Sequence, residues 1–206
     1  MLRINQPAIS KMPRVKLSGF FRKLAKKSML NKMQKLKLSS KIRMVANPQK
    51  VVKASERRLR FYTKYADFVL KTLKKPLFQK FLNWVIKREN IEGHMVKNIQ
   101  VRVFPFQKEN GKRLAGRWNS KGEILIYPKR LDFFRRMMRN GKKETVYFYI
   151  KCRAMATLIH ELLHVKYLDD ENNVRELTRK YFNIFIQRQN TQNSNSCSIQ
   201  KMLFPT

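Results

Sequence analysis

From about Ser55 onward, apolar and polar residues alternate with periods that predict a run of regular elements. Leu59, Tyr62, Ala66, Val69 and Leu73 recur at helical spacing, and Ser55 is placed to cap the first turn. Pro76 opens a second helix carrying Leu77, Phe81, Leu82 and Val85, since a first helical turn has no use for the missing N–H. Ile99, Val101 and Val103 alternate with Gln100 and Arg102, which predicts a strand ending near Pro105. Residues 113–118 and 123–127, joined by Asn119-Ser120-Lys121-Gly122, predict a hairpin with Ile124 and Ile126 on one face. After Pro128 come a short basic helix over 131–139 closed by Asn140-Gly141, a long helix over 144–167, a tight acidic link and a last helix over 170–187. The predicted order is α-α-β-β-β-α-α-α. This is an α+β fold: two helices, a small antiparallel or mixed sheet of about three strands, then a long helix and a C-terminal one.

The flanks differ. Residues 189–206 begin with an Asn, Gln and Ser-rich run and predict a disordered polar tail. In residues 1–54, Leu17, Phe20, Phe21 and Leu24 follow helical spacing, and Leu30, Met33 and Leu36 roughly continue it among lysines. That segment reads as a basic N-terminal extension, either a solvated tail or an amphipathic helix suited to lipid, nucleic acid or an acidic partner. The predicted folded domain therefore spans residues 55–188.

Charge sharpens this division. The 206 residues carry 47 Lys plus Arg against 13 Asp plus Glu, yet 43% are hydrophobic, too many for a wholly disordered chain. Residues 1–60 hold 18 of the basic residues and a single acid, Glu56. Such a field attracts polyanions through counterion release, which points to DNA or RNA, with Lys23, Lys26, Lys27, Lys35 and Lys37 as candidate contacts. An anionic membrane surface is the competing partner. A transit peptide fits less well, because lysine prevails over the Arg and Ser of such segments. The apolar stretch 146–168 is broken by Lys151, Arg153, His160, Glu161, His164 and Lys166, which excludes it as an unaided bilayer span. Two cysteines, Cys152 and Cys197, exclude a disulfide framework and a CxxC zinc site. A reducing, cytoplasmic location is the expectation, with organellar import left open; the oligomeric state leaves no trace in the sequence.

The long helix carries His160-Glu161-Leu162-Leu163-His164, an HExxH pattern. At 3.6 residues per turn the two histidines stand one above the other and can reach one ion, with Glu161 about 100° further round, beside it. Two His ligands, a third protein ligand and an open position describe a catalytic zinc site, in which Glu161 would act as general base towards a peptide bond. The bland alternative is an amphipathic helix whose histidines only line a polar groove. No histidine follows His164, so the third ligand must be a carboxylate or the distant His94. Against the apolar face Val174, Leu177, Tyr181 and Phe185, Glu171 falls about 60° away and Glu176 about 160° away. Glu171 is the candidate, with Asp170 and Glu176 as second choices; acids at a helix start also have an ordinary capping role. Cys152 reads as a small core residue, and Tyr167 as packing or as a hydrogen-bond donor to a reaction intermediate.

HELLH on a long helix followed by a Glu in the next helix resembles the gluzincin branch of the zincin metallopeptidases, and the compact minigluzincins in particular. Gly116-Arg117-Trp118 through Ile124-Leu125-Ile126-Tyr127-Pro128 into HELLH is also similar in pattern to the SprT-like proteases. The resemblance spans about residues 95–187 and departs from SprT-like enzymes at the third ligand, a downstream histidine there. It implies a zincin-like domain, bound Zn2+, and a strand at the cleft that pairs with extended substrate, for which Ile124, Leu125 and Ile126 are the candidates. The function expected is a zinc metallopeptidase tethered to nucleic acid or an anionic surface. The alternative is a non-catalytic nucleic-acid-binding protein on the same scaffold.

Overall fold

The computed structural model describes residues 38–105, 114–140 and 142–189. The five candidate nucleic-acid lysines, the polar tail and Cys197 lie outside these. The described residues form seven helices and a four-stranded sheet, an α+β fold as the periodicities predict. In chain order these are α1 Leu38–Lys41, β1 Ile42–Val45, α2 Pro48–Val52, α3 Glu56–Leu73, α4 Pro76–Arg88, β2 Asn98–Arg102, β3 Gly116–Trp118, β4 Glu123–Ile126, α5 Leu131–Asn140, α6 Lys143–Tyr167 and α7 Glu171–Gln189, with a 3-10 turn at Gly93–Met95.

The sheet order is β1-β2-β4-β3, with β1, β2 and β4 parallel and β3 antiparallel to β4. Two expectations are corrected here. The fold does not begin at residue 55: β1 pairs with β2 in the register Ile42↔Ile99, and the side chains of Leu38 and Ile42 are in the core, so residues 38–54 belong to the domain. Lys41 reinforces this attachment by donating from Nζ to the carbonyls of Val96 at 2.6 Å and Gly93 at 3.2 Å. The second correction concerns β4. It is bonded on one side to β2 and on the other to β3, so no main-chain edge remains at Ile124, Leu125 and Ile126, and Ile124 and Ile126 are buried. The edge strand of the hairpin is β3.

Helices α3 and α6 contact one another and the sheet, which places them on one face of it, and α7 packs along α6. The apolar positions predicted for α3 and α4 account for the burial of Tyr62, Ala66, Val69, Leu73, Phe81, Leu82 and Val85. On the sheet's other side Glu123 accepts from the side-chain amides of Asn98, Gln100 and Asn119 at 3.0–3.1 Å. Such alternation of apolar and polar faces follows from the two-residue period of a strand. Gly122, at φ 79°, completes the hairpin turn, and a Cβ there would lie 2.4 Å from the Met95 carbonyl oxygen.

Helix α6 is the axis of the domain, 25 residues long and buried over most of its circumference. Its far end is clasped by Glu89, which follows α4. Tyr167 donates to Glu89 Oε2 at 2.7 Å, Lys166 lies 3.4 Å from the same oxygen, and the Tyr181 hydroxyl of α7 donates to Oε1. Tyr167 is thereby occupied by a structural bond. Burial alone would raise the Glu89 carboxyl, but the bonds from Tyr167, Tyr181 and Lys166 outweigh it and hold the group below its ordinary value of 4.5. Among the described residues no helix is long and apolar enough to cross a membrane.

Because the folded-state value of Glu89 lies below the unfolded one, its stabilisation is present above about pH 4.5 and is lost as pH falls through the lowered value. Glu89→Gln should therefore cost about 1–3 kcal/mol at pH 7 in urea unfolding, with the gap to the native protein narrowing in acid.

Candidate metal centre

Three side chains converge where α6 ends and α7 begins. His160 Nε2 and His164 Nε2 are 3.1 Å apart, and Glu171 Oε2 lies 3.7 Å from the first and 3.2 Å from the second. These three residues form a group able to hold a metal ion, and among the described residues no other group of three or more His, Cys, Asp or Glu does so. The sequence anticipates the pairing of His160 with His164 from their spacing, and Glu171 from its angle on α7.

The alternatives go elsewhere. Asp170 accepts from the Asn173 amide at 3.1 Å, an ordinary N-terminal cap for α7. Glu176 is exposed on the outer side of α7. His94 lies in the 3-10 turn with Glu92 at 3.2 Å and takes no part in the cluster.

Each histidine is fixed by its second nitrogen. His164 Nδ1 is 2.5 Å from the carbonyl oxygen of Leu168, which can only accept, so Nδ1 carries the hydrogen and Nε2 presents its lone pair to the cluster. That carbonyl is aimed by an unusual backbone: Leu168 closes α6 at φ 47°, ψ −112°, a conformation that a residue with a Cβ seldom adopts. His160 Nδ1 faces Thr178 Oγ1 at 3.3 Å, and that hydroxyl donates onward to the Val174 carbonyl at 2.6 Å, which leaves its oxygen to accept from His160. Neither Leu168 nor Thr178 was legible beforehand, because a leucine carbonyl and an α7 threonine carry no periodic signal.

The electrostatics of this corner keep His160 Nε2 free of a proton. Burial holds His160 in its neutral, ligating form, down to about 4; Glu171 opposes this, and His164 and Arg175 add to it. The histidines occupy the last two turns of α6, near its partially negative carbonyl end, while Glu171 stands in the first turn of α7. Arg175 holds the other Glu171 oxygen through a 2.6 Å bond from Nε.

Glu161 stands beside the triangle and is 5% exposed. Its carboxylate accepts from the main-chain N–H of Trp118 on β3. Burial pushes its carboxyl up to about 8, against the Trp118 amide, with the Glu171 charge adding to the rise. The approach of strand to helix is so close that a Cβ at Gly116 would sit 2.6 Å from Glu161 Oε1 and 2.6 Å from Thr157 Cγ2. Ala115 and Asn119 bond to the β4 side, so in the antiparallel alternation Gly116 and Trp118 turn their main-chain groups the other way, to an edge with which no strand of the described residues pairs. That edge, the α6 floor and the start of α7 surround a cavity of about 970 Å3 that includes His160, Glu161, His164 and Glu171. By contrast, Cys152 is buried, and desolvation drives its thiol up to about 12, which makes it an inert core residue.

No family model, curated protein or solved structure matches this chain. Thr178→Val removes the acceptor of the His160 Nδ1 hydrogen, and affinity for a divalent metal should fall about 10–100-fold, measured by competition with a chromophoric chelator.

Proposed function

We propose that the chain is a zinc-dependent metallopeptidase of zincin type. The observation that carries this reading is the triangle of donor atoms with edges of 3.1, 3.2 and 3.7 Å. A tetrahedral ion with bonds of about 2.0–2.1 Å requires donor separations of about 3.3–3.5 Å, so His160, His164 and Glu171 fit Zn2+ with small adjustments. Two imidazoles and one carboxylate are a donor set of catalytic rather than structural zinc, for which four closed protein ligands are usual. Zinc bound there would keep one position open, acidify a water to a pKa of about 7 and polarise a carbonyl.

The residues of the chain divide the remaining work. Glu161, ionised by the charge of an adjacent cation, would take a proton from the attacking water and return it to the leaving amine. The Trp118 amide holds that carboxylate in place, so the base is aimed from the sheet. The main chain of Gly116, and the Trp118 carbonyl, offer an edge on which an extended peptide can pair irrespective of its side chains. Sequestering Glu161 beneath β3 also limits competition from bulk water.

Residues 1–37, with their concentration of lysine and arginine, supply the tether to DNA, RNA or another anionic surface in this reading. In the non-catalytic alternative Glu161 would serve only to accept from the Trp118 amide.

Purified chain should bind one zinc per molecule by atomic spectroscopy and cleave unstructured protein. Glu161→Gln should retain the metal and lose about 10²–10⁴-fold in kcat, whereas His164→Ala should lose the metal itself. Equal cleavage rates for the zinc-loaded native and Glu161→Gln proteins would overturn the assignment. Deleting residues 1–37 should leave peptide cleavage intact and abolish most of the salt-sensitive binding to nucleic acid.

A further inference from the structure

The cleft contains more chemistry than the metal cluster and Glu161 use. Along α6, Tyr149, Arg153, Thr157, His160 and His164 follow one another at three- or four-residue intervals and all line the cavity, so one stripe of the helix forms its floor. Arg153 is the unexpected member. It is 5% exposed, and its identified partners are neutral: Nη1 donates to the Tyr127 carbonyl at 2.7 Å, and the guanidinium also bonds to the Tyr65 hydroxyl. No carboxylate of the described residues makes an ion pair with it. A neutral amide would suffice to hold Tyr127, so the full charge of a guanidinium, costly to bury without an anion, is left unexplained by the fold. Its planar fork of five N–H donors matches a carboxylate.

The surroundings agree. Lys129, Arg130 and Arg136 line the same cavity, and of its four acids Glu161 and Glu171 belong to the metal end, while Asp132 is engaged by Arg135 at 3.1 Å. Tyr149 and Phe133, with ring centroids 5.2 Å apart, supply a wall that excludes water from the charge.

We propose that the cleft contains a carboxylate subsite centred on Arg153, which selects peptides bearing an acidic group on one side of the scissile bond. Arg153 precedes His160 by seven residues of helix, roughly 10 Å. An extended peptide advances roughly 3.3 Å per residue, so the acidic group lies about three residues from the bond that is cut. The carboxylate is that of an Asp or Glu side chain or of the peptide's own C-terminus. The subsite rests on the peptidase reading above, but its charge chemistry can be tested apart from it.

The zinc-loaded full chain would be given a neutral peptide that it cuts at one bond, together with variants that place a single Glu or Gln at successive positions, each with a free or an amidated end. Because the whole chain is strongly cationic, a gain shared by every acidic peptide is background. The subsite predicts a kcat/KM gain of about tenfold or more for Glu over Gln confined to one position, about three residues away, and lost in Arg153→Gln. Loss of the gain on amidation alone would assign the carboxylate to the chain end. A uniform gain at all positions, or none, overturns the subsite and leaves the peptidase reading standing.

Should no peptide be cut, the peptidase reading falls and the subsite is judged on binding of the same peptides by fluorescence anisotropy. Position-dependent tightening that Arg153→Gln removes upholds it, and position-independent binding overturns it. If Arg153→Gln does not fold, the native position profile decides, with Arg153→Lys expected to keep the preferred position and reduce the gain.

Discussion

A single buried carboxylate, Glu89, fixes the corner on which the candidate site depends. Two of the three side chains able to hold a metal stand on α6 and the third on α7, so their triangle exists only if the turn at 168–170 has one geometry. Glu89 holds that turn from both sides, through Tyr167 just before it and Tyr181 three helical turns after it. Hydrogen bonds of this kind gain strength where water is excluded, and every acceptor site used here lies in the domain interior. The ends of α4 and α6 and the middle of α7 are thereby joined at one point.

Within that frame, the cost of the site is concentrated in a few residues. Leu168 adopts a left-handed backbone that glycine would adopt more easily, and its carbonyl orients His164 as a result. Glu161 is buried and His160 partly so, with the histidine held neutral and the carboxyl made reluctant to ionise. Natural proteins concentrate such departures from the stable arrangement where chemistry is done. Here they cluster within one turn of helix and its continuation.

Much of this was legible in the sequence, and the exceptions have physical causes. The helices were readable because Leu59 to Leu73 and Val174 to Phe185 keep a 3.6 period, and HELLH because two histidines four apart on a helix share a face. Glu171 could be chosen over Glu176 by its angle alone. Strand β1 was not readable: it has four residues inside a basic segment, and parallel pairing with β2 leaves no turn to announce it. The hairpin was evident, but a hairpin does not say which of its strands has a free edge. That was decided by β2, which pairs with β4 rather than β3 and so turns the outer edge over to Gly116 and Trp118. Glu89, Arg153 and Thr178 were silent for another reason. In a chain with so many charges, a buried polar residue on a helix looks like one more solvated position.

The close approach allowed by Gly116 gives the candidate site two separate supports within the fold. Strand β3 aims Glu161, while the α6–α7 corner aims His160, His164 and Glu171, and α6 is the element common to both supports. In the proposed enzyme, metal retention and proton handling are then separable traits. A sequence drifting at the strand would become a metal-storing relic with its geometry intact at the corner, and one drifting at the corner would keep a well-seated base with nothing to serve.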